Sequence, residues 1–351
     1  MIGLRTVTRG VRTGLLAASR YSGLGRFTSR SRWRQRRLLI LCYHGVSLRD
    51  EHLWHPELFV TRDFLIRRFE IIRSQGYTVL PLPEAVARLR VGTLPERGVV
   101  LTFDDGFYDF YAAAAPILQR FDFPATVYLS TYHCLHQRPI LGLTLPYLLW
   151  RARDQVPSHG LHLPDGQLAD LSRDAQRATI LPALLEEARA LSADRDAQLQ
   201  WMEALSYRLQ VSWQDIMATR VMHLMTGAEV AAVSSQGIDV QLHTHRHQTP
   251  TTKDSFFSEI LENQRVIRNF TGKTATHFCY PSGIVQPEYL PWLHELKTTS
   301  ATTCEPQLAS ARTDPLLLPR FIDTLGQSEL YFESWLSGMA GFLGGAQTHG
   351  T

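Results

Sequence analysis

The stretch Gly98-Val99-Val100-Leu101-Thr102-Phe103-Asp104-Asp105-Gly106 sets two adjacent carboxylates at the end of an apolar run of strand character. Side chains alternate along a strand, so Asp104 and Asp105 share a direction only if the backbone has already turned, and Gly106 supplies that turn. One carboxylate is then free to hold a cation while the other acts as a base, because neighbouring like charges are tolerated where a cation or a proton offsets them. Taken alone, Asp-Asp-Gly reads more readily as an ordinary β-turn. The decision therefore rests on what else the chain carries.

A second cluster, His243-Thr244-His245-Arg246-His247, follows the strand-like Ile238-Asp239-Val240-Gln241-Leu242. Imidazole is the commonest metal-ligating side chain. His243 and His247 stand four apart, which would put both on one side of a helical turn, and a carboxylate from elsewhere would complete a set of three with positions left open for water and substrate.

These residues resemble the motifs of a known family. Thr102 to Gly106, then His243 to His247, then Phe278-Cys279-Tyr280-Pro281-Ser282-Gly283 look, in order, like the first three motifs of polysaccharide deacetylases of the NodB-homology type, carbohydrate esterase family 4. Leu39-Ile40-Leu41-Cys42-Tyr43-His44-Gly45-Val46 resembles the opening strand of the exopolysaccharide-type members, and Thr313 to Phe321 their closing segment. The resemblance implies an α/β fold, a distorted (β/α)7 barrel with its site at the carboxyl ends of the strands. Runs at Leu38 to Tyr43, Gly98 to Phe103, Ala125 to Leu129, Val240 to His243 and Thr276 to Tyr280 support this independently, since they alternate with segments of helical period such as Phe64 to Gln75. In Phe256 to Phe270, the positions Phe257, Ile260, Leu261, Gln264 and Ile267 read as one stripe able to pack on the sheet.

The resemblance also implies roles. Asp105, His243 and His247 would hold a divalent metal, zinc first, with cobalt, nickel or another divalent ion as substitutes. Asp104 would be the catalytic base, and a backbone N–H of the third motif, that of Ser282, would face the oxyanion, with Tyr280 and Pro281 against substrate. Two departures appear. The late His that serves many members as acid is lacking, which points to His44, as in the motif-permuted exopolysaccharide type. Cys279 stands where many members place an Arg that orients the catalytic Asp, and Arg320 is the candidate replacement, its rival reading being a surface Arg paired with Asp323 or Asp314.

Composition fits one enlarged domain: 351 residues, 44% hydrophobic and 20% charged, allow a substantial core. The expected layout is a basic segment over residues 1–37, a barrel over 38–340 with a helical insertion at 133–225 that shapes the substrate groove or only braces the barrel, and a flexible tail over 341–351. Residues 1–37 contain ten Arg and no acid, so their +10 against an overall +3 leaves −7 for the remainder. Leu4, Val7, Val11, Leu15 and Ala18 mark one helical face and Arg5, Arg9 and Arg12 another, the pattern of a helix lying on an anionic membrane surface. No stretch is long enough to span a bilayer, and Gly14 to Ala18 is short for a signal-peptide core. A nucleic-acid partner is disfavoured, because no aromatic platform accompanies the arginines. Cys42, Cys134, Cys279 and Cys304 form neither a disulfide framework nor a zinc knuckle. The expected location is cytoplasmic, peripheral on the inner membrane.

The expected activity is therefore metal-dependent removal of an acetyl group, N-acetyl or O-acetyl, from an amino sugar in a polysaccharide or lipid-linked saccharide. The alternatives are an allantoinase-like amide hydrolase of the same fold and a non-catalytic carbohydrate-binding protein. A two-His-one-carboxylate iron oxygenase would use similar ligands but calls for a His-x-Asp pair that this chain does not show.

Overall fold

A computed structural model describes residues 28–155, 161–163, 165–191 and 195–342. The amphipathic pattern at Leu4 to Ala18 and most of the expected tail lie outside these residues. Seven parallel strands form the frame: β1 (Arg37–Tyr43), β2 (Gly98–Phe103), β3 (Thr126–Leu129), β4 (Asp239–Leu242), β5 (His277–Cys279), β6 (Ser300–Thr302) and β7 (Phe321–Ile322). Each pairs with the next from β1 to β6. β7 pairs back onto β1 through Leu41↔Phe321 and Cys42↔Ile322. Just before β7, Leu318 bridges Thr302 of β6, so the segment Leu318 to Ile322 joins the last strand to the first and curls the sheet toward a barrel.

Both faces of β1 and β2 are covered, which explains why they read as near-continuous apolar runs. β1 from Leu38 onward and all of β2 are buried. The alternation survives inside the burial. Leu38, Ile40, Val100, Tyr128, Cys279 and Leu318 belong to an inner cluster, while Leu39, Leu41, Val99, Leu101 and Phe103 belong to the larger core packed with the helices.

The helices that matter to the site are α1 (Arg62–Ser74), α2 (Leu82–Val91), α3 (Leu141–Arg151), α4 (Asp174–Ala190), α5 (Arg195–Arg208), α6 (Trp213–Thr219), α7 (Gly227–Ser235) and α8 (Lys253–Thr271). Of these, α3 to α6 lie between β3 and the crossover helix α7, where the long insertion was expected. In α8 the buried positions are Phe256, Glu259, Ile260, Asn263, Val266 and Ile267. The expected stripe is therefore misphased: Leu261 is 51% exposed, and two polar side chains, Glu259 and Asn263, occupy the covered face.

The boundary expected at residue 37 also moves. Arg34, counted in the basic segment, is fully buried, its guanidinium donating to the carbonyls of Leu336, Arg37 and Gly98. Burial lowers its pKa to about 10. At least this arginine belongs to the barrel and not to a membrane-facing surface. Among the described residues, no helix is long and apolar enough to cross a membrane.

Candidate active site

Strand ends deliver the site. Asp104 continues the inward phase of Val100 and Thr102, and its N–H donates to the Tyr43 carbonyl as a last rung of the β1–β2 ladder. The chain then breaks away: Asp105 takes φ 70° and Gly106 φ 82°. A Cβ at Gly106 would fall 2.2 Å from Leu129 Cδ1, so both the turn and the close approach of β3 demand glycine there. Asp105, an L-residue in left-handed conformation, carries strain of about 1 kcal/mol, which surrounding structure must offset.

Asp104 is buried and meets Arg320, which is fully buried. Nη1 lies 2.7 Å from Oδ1 and Nη2 2.7 Å from Oδ2, a bidentate fork. Arg320 Nε donates to the Thr303 carbonyl, and its ring of partners includes Thr102 Oγ1. The rival reading of a surface Arg fails, because Asp323 is engaged by Arg68 and by the Tyr43 hydroxyl. Two thiols complete the shell: Cys279 Sγ and Cys42 Sγ lie 3.4 and 3.6 Å from Asp104 Oδ2. Burial pushes both thiols well up, so they stay protonated and present S–H to the carboxylate. Burial alone would also raise the Asp104 carboxyl, but the charge and hydrogen bonds of Arg320 outweigh it and hold the group well below the usual carboxylate range. His44, at the end of β1, places Nε2 3.9 Å from Asp104 Oδ2. Burial lowers its pKa, against the pull of Asp104 and Asp105.

The expected ligand trio converges. His243 Nε2 and His247 Nε2 each lie 3.2 Å from Asp105 Oδ1. That oxygen is buried and accepts no hydrogen bond, while the three ligand atoms lie within 4.8 Å of one another. His243 Nδ1 is 2.9 Å from the Cys279 carbonyl, which fixes the proton on Nδ1 and leaves the Nε2 lone pair facing Asp105. An orphaned carboxylate oxygen faced by an imidazole lone pair is a donor set that fits a divalent cation. The convergence does not come from a helical turn, as the spacing suggested. Residues 243–247 form a loop in which Thr244 and His247 take φ 58° and 56°, and these two reversals bring His247 back beside His243.

His245 and Arg246 separate. His245 is buried with Nδ1 2.8 Å from Thr131 Oγ1, whereas Arg246 Nη1 reaches Glu259 Oε1 at 2.7 Å. In the third motif, Ser282 takes φ 55° in a turn closed by the N–H groups of Gly283 and Ile284, donating to the carbonyls of Tyr280 and Pro281. Ser282 and Tyr280 reach the cavity, Pro281 is buried within the turn, and the Tyr280 hydroxyl donates to the Leu316 carbonyl.

All of this opens into one cavity of about 890 Å³. Its floor holds Asp104, Asp105, His44, His243 and His247, and part of its wall comes from Ile140, Gly142 and Leu143 at the start of α3 and from Arg189 of α4. His133 and Glu305 also line it, and no motif pointed to either.

The fold and the site define a class, and comparison with known proteins agrees. The family model described as polysaccharide deacetylase matches residues 91–184 and 215–301. This chain belongs to the polysaccharide deacetylase family. The gap in the match, 185–214, falls within α4 to α6 of the insertion. An Escherichia coli K12 protein named poly-beta-1,6-N-acetyl-D-glucosamine N-deacetylase is 35% identical over 94 residues, 26% of this chain and 14% of that protein's length. Among solved structures, the Streptococcus pyogenes deacetylase PplD in complex with acetate aligns with TM-score 0.56 at 19% identity, covering 86% of this chain and 98% of its own. IcaB from Ammonifex degensii aligns with TM-score 0.53 at 16% identity, covering 86% and 97%. At those identities the structures speak for the fold.

Proposed function

We propose that this protein is a metal-dependent deacetylase that hydrolyses the acetamido group of an N-acetylated amino sugar in a polysaccharide or lipid-linked saccharide. The observation that carries the reading is the meeting of His243 and His247 on an orphaned Asp105 oxygen next to a carboxylate, Asp104, that a buried guanidinium keeps ionised. A non-catalytic carbohydrate binder would have no use for that pairing. Zinc suits the two-imidazole, one-carboxylate donor set with open positions. Bound there, a divalent ion would supply Lewis acidity to the amide carbonyl and lower the pKa of water at the site.

The chain's own groups do the rest. Asp104 takes the proton from the attacking water, the Ser282 N–H faces the oxygen on which negative charge develops, and His44 gives a proton to the departing amine as the C–N bond breaks. Arg320 holds Asp104 in place and in its ionised form. A cavity of about 890 Å³ is within the usual range for a small-ligand pocket and accommodates one or a few sugar units. Because Ile140, Leu143 and Arg189 form part of its wall, the insertion is assigned a part in substrate selection. The name of the Escherichia coli relative favours a β-linked N-acetylglucosamine unit, and the arginine-rich segment favours a substrate held at an anionic membrane surface.

The test is metal analysis of purified protein together with acetate release from a panel of N- and O-acetylated sugars, with Asp104→Asn as control. The expected result is one divalent ion per chain, kept by the variant, and acetate release lost from it. Turnover that survives Asp104→Asn, or a protein that binds no divalent ion, would overturn the reading.

A further inference from the structure

The loop carrying both histidines makes few regular backbone hydrogen bonds of its own, yet its buried N–H and C=O groups need partners. They find them outside. The His243 N–H donates to Asn263 Oδ1 at 2.9 Å, the His245 N–H to the Glu259 carbonyl at 3.2 Å, and the Arg246 N–H to Glu259 Oε2 at 2.7 Å. The first two carbonyl contacts come from the end of β3: Ser130 Oγ donates to the His243 carbonyl, and the Thr131 N–H to that of His245.

Asn263 ties these two sets together. It is fully buried on α8, and its Nδ2 donates to the Leu129 carbonyl at 2.9 Å and to Thr131 Oγ1 at 3.0 Å while Oδ1 receives His243. Thr131 Oγ1 in turn meets His245 Nδ1. The Ser130 N–H donates to the Asp105 carbonyl, so the same strand end reaches the other ligand loop as well. One carboxamide therefore sets the distance between α8, the end of β3 and the backbone of His243. It does so against two left-handed residues, Thr244 and His247, whose conformation the loop would not keep unaided.

We infer that Asn263 is a positioning residue for the metal ligands, acting through the His243 N–H and through Thr131 to hold the loop in the geometry that directs both imidazoles at Asp105. The inference rests on the metal reading of the site. It does not make Asn263 a ligand: both polar atoms of its carboxamide are already engaged with the protein. Outer partners that orient ligands typically change metal affinity by about 10–100-fold when removed.

The experiment uses the full chain stripped of metal and titrated with Zn²⁺ alone against a chromophoric chelator, with the melting temperature of the metal-free protein measured in parallel. Folded Asn263→Ala is expected to bind Zn²⁺ about 10–100-fold more weakly than wild type. Thr131→Val, which leaves the bond from His243 to Asn263, is expected to weaken binding in the same direction by a smaller factor. A folded Asn263→Ala that melts lower but binds Zn²⁺ as wild type does would make Asn263 a structural residue only and overturn the inference. If Asn263→Ala does not fold, wild-type affinity in Thr131→Val overturns it instead. Asp105→Asn and His247→Ala separate the two levels. Binding that survives both overturns the metal assignment itself, whereas loss in both with none in Asn263→Ala overturns only the role of Asn263.

Discussion

Arg320 and Asp104 face each other as a fork and a carboxylate, with both N···O distances at 2.7 Å and both side chains buried. Removing one partner of such a buried pair costs about 3–5 kcal/mol, because the other is left charged and desolvated. The informative substitution therefore keeps the charge. Arg320→Lys offers a single ammonium in place of two directed donors and is expected to lower turnover by about 100-fold through misplacement of the base. Arg320 is what holds the Asp104 carboxyl below its ordinary range against burial. Weakening that hold raises the pKa, so the acidic limb of the pH–rate profile should move to higher pH. An unmoved limb would mean that Asp104 is not the group titrating there.

His44 is 3.9 Å from Asp104 Oδ2 and on the cavity floor, and its proposed role is to protonate the leaving amine. His44→Ala should then reduce deacetylation of N-acetyl sugars by about 10²–10⁴-fold. An aryl acetate, whose phenolate leaves without a proton, should lose less than about tenfold. Equal losses on both substrates would assign His44 to something other than leaving-group protonation.

Asp109 is buried, with Oδ1 accepting the Val46 N–H at 3.0 Å. Burial pushes its carboxyl well up, with Glu51 and Asp105 adding to the rise and the Val46 N–H opposing it. The folded chain thus keeps a proton that the unfolded chain loses above about pH 3.9. This contribution to stability is complete below that pH and is lost as pH rises toward the raised value. Asp109→Asn keeps the acceptor and cannot ionise. Its stability advantage over wild type should be smallest at pH 4 and grow as the pH is raised to 7 in paired denaturation curves. Parallel curves at both pH values would contradict the assignment.

Leu143 and Arg189 bring the insertion into the cavity wall. Leu143→Ala should raise KM for acetylated oligosaccharides severalfold while leaving kcat/KM on a small aryl acetate within about twofold, since only the longer substrate reaches that wall. If KM were unchanged for every length of saccharide, the insertion would be a brace and not a selector.

The arginine-rich segment calls for a truncation placed before the barrel. Because Arg34 is buried against Gly98 and Leu336, deletion should stop at residue 27. The truncated protein is expected to lose co-flotation with anionic liposomes while keeping its melting temperature; undiminished flotation would remove the membrane proposal.

The sequence made the strands and the four central site residues legible because both are local: an apolar run followed by Asp-Asp-Gly needs only a strand and a turn. Arg320 was readable only as a replacement for the missing arginine at Cys279, and the contact itself spans 216 positions of chain. The four-residue spacing of His243 and His247 reads equally as a helical turn or as two left-handed residues in a loop, and the fold uses the loop. The face of α8 was misphased for a related reason. Glu259 and Asn263 are polar and so read as solvent-facing, whereas they are covered because a loop without regular secondary structure needs their hydrogen-bonding atoms.

The short segment from Leu318 to Ile322, which links the sixth strand to the first, also carries the arginine that grips Asp104. A nascent chain that has emerged through His247 already owns both carboxylates and both imidazoles, but Asp104 meets Arg320 only once the final strand docks. Docking of this one segment therefore both joins the last strand to the first and brings Asp104 its guanidinium partner.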